Sequence, residues 1–288
     1  MIEIINATKF IENFQSVTNK KVYRVKFPYN NNPYSALLMV KAKGKMISLP
    51  YFCQGIVETS PLNYDIETLP KNYEIRDTSP HSNFSYTDKV IFTISPLSYK
   101  YPSNVKRKVN KSISNNVRVI YGESPSLLRD FYKVYSKRMH KKGVPFVSIK
   151  HIEKLIKTNC TKLFVAYYNN KPIGGATLNI ISEKFFENEF FATLSSFNHF
   201  YPSYALHNSM IIYSKENGAN TYSLSRTTKN SSVYKYKKHF KAEEIQLYWS
   251  SNKKERNIRN NKFLFSLYKL IPYFIAKRIG NIIHKRIY

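Results

Sequence analysis

The sequence predicts an α+β protein in which mixed central sheets are flanked by helices and the chain divides into two halves. Two observations carry this. The first hundred residues are mostly short alternating runs separated by turn residues, whereas the rest interleaves 3.6-residue apolar stripes with β-like runs. The 288 residues are 42% hydrophobic and 15% aromatic, enough to build a core, which excludes a disordered chain.

In the first half, Lys21–Phe27, Tyr34–Ala42 and Met46–Leu49 alternate as strands, with Gly44 turning the last two into a hairpin. Leu49 to Val57 reads as extended, with Pro50 at a strand edge. Asn72–Asp77 and Lys89–Ser95 are further strands, and polar Thr78–Asp88 between them is a loop. Pro102–Asn116 changes character. Ser103 caps a helix whose Val105, Val109 and Ile113 share one face and whose Lys106, Arg107, Lys108 and Lys111 make it basic. That basic side suits phosphate, or is simply solvated.

The second half begins with a strand at Val117–Tyr121. Ser124-Pro125 opens a helix with the stripe Leu128, Phe131, Tyr132, Tyr135 and Met139, closed by Gly143. Ser148–Lys157 is a short helix. Lys162–Tyr168 and Pro172–Ile181 are strands joined at Asn169-Asn170-Lys171, and Lys184–Leu194 follows them. Leu206, Met210, Tyr213 and Ser214 mark a helix stopped by Asn217-Gly218. Then come a strand at Thr221–Leu224, a polar loop at Ser225–Ser232, a basic-aromatic run at Val233–Phe240 and a strand at Glu244–Trp249.

Charge bounds the partners. Lys+Arg number 46 against 18 Asp+Glu, a net +28. Such an excess attracts nucleic acid, an anionic membrane face or a phosphorylated substrate. A Lys- and Asn-rich proteome accounts for it equally well, and the two are compatible. Cys53 and Cys160 are far apart with no CxxC, so neither a metal site nor a disulfide framework is indicated. No apolar run spans a bilayer and the N-terminus does not read as a signal peptide, so a cytoplasmic protein is expected.

The order of helix, Asn217-Gly218 turn, strand, Ser225-Arg226-Thr227-Thr228, then Tyr234-Lys235-Tyr236-Lys237-Lys238-His239-Phe240 resembles the C-terminal signature of FemAB-like acyltransferases of the GNAT superfamily. The phrase Tyr167–Ala176 resembles the central GNAT hairpin, and Ser48-Leu49-Pro50-Tyr51-Phe52 with Gly55 resembles an L-P segment of Fem-like chains. The basic helix is similar to the family's R-x-x-R-K-A helix. Two positions depart: Ser225 and Lys241 stand where the family usually has glycine. The resemblance implies two GNAT-related halves, the first reduced and strand-rich, with boundaries at 1–101, 102–254 and a basic amphipathic helical tail at 255–288.

The activity it implies is acyl transfer to an amine of a cell-envelope glycan or peptidoglycan precursor. Acyl-CoA or aminoacyl-tRNA would be co-substrate, with no tightly bound cofactor. Ser196–Ser203, where GNAT enzymes carry a glycine-rich pyrophosphate loop, has no glycine. Fem-type enzymes lack that loop too and take their acyl group from aminoacyl-tRNA, which the +28 charge also suits. Partners would be a nucleotide- or lipid-linked glycan acceptor, tRNA and the inner-membrane surface. By resemblance, Lys237 lies near the reacting ester, Arg226 orients a phosphate or carboxylate, and Tyr236 walls the acyl site. Thr227, Thr228, Tyr234, Lys106 and Arg107 complete the expected substrate contacts. For the base, Glu189, sharing a strand face with Glu187, and His199 are candidates beside Lys237. In the tail, Ile275, Ile279, Ile282 and Ile283 form one helical face away from Lys277, Arg278, His284 and Lys285. That is either a membrane-surface element or a packed helix with a solvated basic side. The alternative function is a non-catalytic protein that binds RNA or anionic membrane on the same scaffold.

Overall fold

Period-two runs near the N-terminus fold as strands, and the period-3.6 runs downstream fold as helices. The computed structural model describes residues 1–42, 44–60, 66–253 and 267–287. In chain order its elements are β1 (Ile2–Ile4), α1 (Thr8–Thr18), β2 (Val22–Lys26), β3 (Ala36–Ala42), β4 (Lys45–Ser48), β5 (Ile56–Glu58), β6 (Tyr73–Asp77) and β7 (Phe84–Ile94). They continue as α2 (Ser103–Ser114), β8 (Arg118–Gly122), α3 (Pro125–Lys142), α4 (Ile149–Lys157), β9 (Thr161–Tyr168), β10 (Lys171–Ile180) and β11 (Phe185–Thr193). A 3-10 turn (Ser195–Phe200), α5 (Pro202–Glu216), β12 (Thr221–Thr228), α6 (Ser232–Lys238), β13 (Glu243–Ser251) and α7 (Tyr273–Ile287) complete them.

The chain forms two units. One comprises Met1–Thr93, Ser223–Lys238 and Ala242–Arg256; the other comprises Ile94–Tyr222, His239–Lys241 and Asn257–Tyr288. The division is discontinuous, where contiguous boundaries after residues 101 and 254 were expected. Its causes are β12, the neighbour of β7 on one side, and β13, which is antiparallel to both β6 (Trp249↔Arg76) and β7 (Ile245↔Ile91) and lies between them.

In the first unit β3 pairs antiparallel with β2 (Val22↔Val40) on one side and with β4 (Met39↔Ser48) and β5 (Leu37↔Val57) on the other. The parallel pairs are β1 with β5 and β4 with β6. Ala36–Val40 is buried on both faces, which its unbroken apolar run encodes. Neither β1 nor α1 was expected. Ile11, Phe14 and Val17 form the buried face of α1, and Phe10 and Phe14 pack on Phe52.

The second unit carries the antiparallel ladder β8-β9-β10-β11. Asn169 and Asn170, at φ 47° and 59°, make the tight turn between β9 and β10. Leu163 and Val165 of β9 pack with Phe131 and Tyr135 of α3, Ile152 of α4 and Ala276 of α7. Phe164, one residue over, meets Tyr213 of α5 on the opposite face. The adjacent glycines of β10 serve these two faces. A Cβ on Gly175 would lie 2.8 Å from Phe131 Cδ2, and one on Gly174 would lie 3.0 Å from Leu206 Cδ1 of α5.

Several expectations are corrected. Helix α2 begins at Ser103, but the cap position is Pro102, held extended at φ −58° and ψ 146°, so Ser103 is no cap. Val105 and Val109 are buried while Ile113 is 62% exposed. Strand β7 starts at Phe84, inside the segment expected as a loop. The expected loop Ser225–Ser232 shrinks to 229–231, because β12 runs on to Thr228 and α6 starts at Ser232. In α7 the packed residues are Ala276, Ile279, Gly280 and Ile283; Ile275 and Ile282 are exposed. The small residues select this face: a Cβ on Gly280 would lie 2.7 Å from Tyr268 Oη and 3.1 Å from the Phe146 oxygen. Residues 254–266 and the side chains of His284 and Lys285 lie outside the described residues.

Candidate functional site

The strongest concentration of chemistry in the first unit is built where β12 bends. Ser225 sits at φ +69°, the left-handed region that glycine enters freely and other residues occupy at a cost. Its amide donates to Ser223 Oγ at 3.1 Å. The Arg226 amide donates to Cys53 Sγ at 3.1 Å, and the Arg226 side chain donates through Nη1 to the Phe52 oxygen at 2.8 Å. Lys237, 5% exposed, donates to the Ser225 oxygen at 2.6 Å and the Arg226 oxygen at 3.2 Å. The bend thus has a cation beneath its two carbonyls. Lys241 also has positive φ, +46°. Both positions singled out in the sequence as standing where glycine was expected therefore have a backbone conformation that glycine enters freely.

A second arginine joins this site from β6. Arg76 donates through Nη1 to the Pro50 oxygen at 2.6 Å and through Nε and Nη2 to Glu74 Oε1 at 3.0 and 2.8 Å. The Trp249 ring lies 4.2 Å from the Arg76 guanidinium carbon and 5.6 Å from that of Arg226. Burial pushes the Arg76 pKa down, Glu74 opposes this, and the Arg226 charge adds to the downward push. Burial alone would raise the Glu74 pKa; Arg76 and then Lys45, whose Nζ lies 2.7 Å from Oε2, outweigh it and hold it at about 2. Arg76, Arg226 and Lys237 share this corner with the Glu74 carboxylate, which also pairs Lys45. The resulting positive potential suits a phosphate, a carboxylate or a developing oxyanion.

Of the other residues expected here, Thr227 Oγ1 lies 3.2 Å from Ser231 Oγ, and Thr228 Oγ1 accepts from Lys89 Nζ at 2.7 Å. Tyr234 donates to Glu244 and packs on Phe92, and Tyr236 is half-buried on α6. The first unit therefore holds Arg226, Thr227, Thr228, Tyr234, Tyr236 and Lys237. Glu189, His199, Lys106 and Arg107 belong to the second. Glu189 accepts from Asn179 Nδ2 at 2.8 Å, and His199 is exposed on the 3-10 turn against Phe200. Lys106 and Arg107, with Ser103, Asn110, Lys111 and Ser114, line a shallow depression of about 470 Å³ along α2.

The second unit also holds a polar relay that the sequence did not announce. Lys108 Nζ donates to Tyr204 Oη at 2.8 Å, and Tyr204 Oη lies 2.8 Å from His239 Nδ1. Burial, then Lys108, lowers the His239 pKa, and burial raises that of Tyr204 to about 12. Arg76 and Cys53 were likewise missed, because nothing in the local pattern separates them from ordinary strand and loop residues. Among the described residues no group of three His, Cys, Asp or Glu is placed to hold a metal ion.

This architecture is the fold of FemX and of lysylphosphatidylglycerol synthetase domains. FemX superposes with a TM-score of 0.59 at 11% identity, covering 91% of this chain and 93% of that one. The C-terminal domain of an assigned lysylphosphatidylglycerol synthetase from Agrobacterium fabrum gives 0.58 at 8%, covering 93% and 90%. L-PGS from Bacillus licheniformis gives 0.56 at 9%, covering 91% and 92%. No family model and no curated protein matches the chain. At these identities the likeness establishes the fold.

Proposed function

We propose that the protein is an acyltransferase that moves an aminoacyl or acyl group onto an amine of a cell-envelope precursor. The observation that carries the reading is the Arg226–Arg76–Lys237 corner at the bend of β12, on a fold shared with FemX and with lysylphosphatidylglycerol synthetase domains. In the reaction the acceptor amine attacks the donor's ester or thioester carbonyl. A C–N bond forms, the C–O or C–S bond breaks, and the amine proton passes to the leaving group. Lys237 contributes positive charge to the tetrahedral oxyanion, and through its two carbonyl bonds it also fixes the bend that presents Arg226. Arg226 orients the phosphate or carboxylate of a nucleotide- or lipid-linked acceptor at the cytoplasmic face of a membrane.

Aminoacyl-tRNA is the donor this chain favours. The segment Ser196–Ser203 is a 3-10 turn running into α5 without a glycine to admit a pyrophosphate, and the net charge is +28. Mass spectrometry of RNA and small molecules that copurify at low and high salt, followed by a transfer assay with the donor found, tests this. Aminoacyl transfer from charged tRNA supports it, and transfer only from acyl-CoA replaces the donor.

A second reading, a non-catalytic polyanion-binding protein, is favoured by one observation: the two carbonyl bonds of Lys237 give that residue a structural reason to be there. RNA retention without transfer from any donor would select it.

A further inference from the structure

The outward face of the C-terminal helix has no role in the acyl-transfer reading. In α7 the buried positions Ala276 and Gly280, with Ile279 and Ile283, pack against the second unit's core. Phe274, Ile275, Arg278 and Ile282 fall within an arc of roughly 100° on the other side. Phe274 is 67% exposed and Ile282 56%, and Leu270, just before the helix, is 79% exposed. Large apolar side chains this open normally occur singly on a protein surface; here they share one face, which marks an interaction site. Their polar neighbours are Lys269, Lys277 and Arg278, all exposed, and residues 256–288 contain no Asp or Glu.

We infer that this face docks on an anionic lipid bilayer. Apolar side chains flanked by cations, on a segment without Asp or Glu, match the boundary between acyl chains and acidic headgroups. A protein partner of comparable fit would have to combine an apolar groove with an acidic rim. A second copy of this chain, itself at +28, meets it with like charge. Among the described residues no helix is long and apolar enough to cross a membrane, so attachment is from one side, with Phe274, Leu270 and Ile282 entering and Lys277 and Arg278 staying at headgroup level. This inference stands apart from the proposed reaction.

The test is sedimentation of the full chain with vesicles of phosphatidylcholine alone or mixed with phosphatidylglycerol, at about 0.1 M and about 1 M salt. Charge alone would attach a +28 protein at low salt and release it at high salt. Insertion leaves a salt-resistant fraction on the mixed vesicles. The double variant L270E/F274E, checked for an unchanged circular dichroism spectrum and melting temperature, should lower that fraction more than tenfold. Should this variant be misfolded, the milder F274S, which alters one exposed side chain, should still lower it severalfold. Complete release at high salt, or a fraction indifferent to these variants, overturns the inference. So does a dimer in size-exclusion chromatography that L270E/F274E dissociates, in the absence of vesicle binding, because the face would then belong to a second copy.

Discussion

Arg226 Nη1 reaches the main-chain oxygen of Phe52 at 2.8 Å, joining two segments that lie 174 residues apart. The L-P segment and the S-R-T-T segment are thus one piece of structure. The arginine's fixed fork orients the Leu49–Cys53 turn while its charge faces the site.

Replacing Arg226 should therefore lower kcat/KM roughly 100-fold or more for Arg226→Ala. Arg226→Lys should rescue little, because an ammonium keeps the charge and loses the planar geometry. Steady-state transfer assays with melting curves separate the loss from unfolding.

Lys237→Ala should abolish turnover and also destabilise by about 1–3 kcal/mol, since the Ser225 and Arg226 carbonyls lose their charged donor. Lys237→Met keeps most of the packing, so it should recover part of the stability and none of the activity. Turnover unchanged in Lys237→Ala would remove this residue from the chemistry.

At position 225 the φ of +69° sets the order of stability. Ser225→Gly should stay within about 1 kcal/mol of the parent, because relief of strain offsets a floppier unfolded chain. Ser225→Val should cost about 2 kcal/mol or more, because a β-branched residue resists the left-handed region. Denaturant titration of the three proteins checks the ranking.

Glu74 predicts a pH dependence. Its folded pKa, about 2, lies below the ordinary 4.5, so its contribution is complete above about pH 4.5 and is lost as the pH falls toward 2. The difference corresponds to about 3 kcal/mol. Stability measured across that window should fall for the parent. Glu74→Gln should start lower, with Arg76 deprived of its counterion, and fall less steeply.

Gly175→Ala should destabilise by about 1–3 kcal/mol, because its Cβ would press on the Phe131 ring of a core that is already full. Phe131→Leu in the same chain should recover part of the loss, which a double-mutant cycle would report as coupling.

Most of the strands and helices were legible because their cause is local. The stripe from Leu128 to Tyr135, the Ser124 cap and the Gly143 and Gly218 stops are present where the periodicity put them. Errors arose where tertiary placement decides. Four residues of β12 read as loop because Ser225 and the hydroxyls that follow are turn formers; the bend is held by Cys53 and Lys237, which no local window contains. In α7, Ile275, Ile279, Ile282 and Ile283 read as one face, yet Ala276 and Gly280 are buried because only small residues allow the helix close to Phe146. In the candidate site, Arg226 and Lys237 stand out in the sequence through the spacing of the S-R-T-T and Y-K-Y-K-K-H-F segments. Arg76 and Trp249 meet only through the pairing of β6 with β13.

That pairing has a consequence for synthesis on the ribosome. Strands β6 and β7 are complete by residue 94, but the strand that belongs between them ends at Ser251. At ordinary elongation rates the nascent chain carries two unpaired β edges for roughly 10–30 s. Such edges are templates for pairing with the wrong neighbour. Chaperone dependence and loss to aggregates should therefore respond to translation speed across residues 94–251, even where no substitution alters the finished protein.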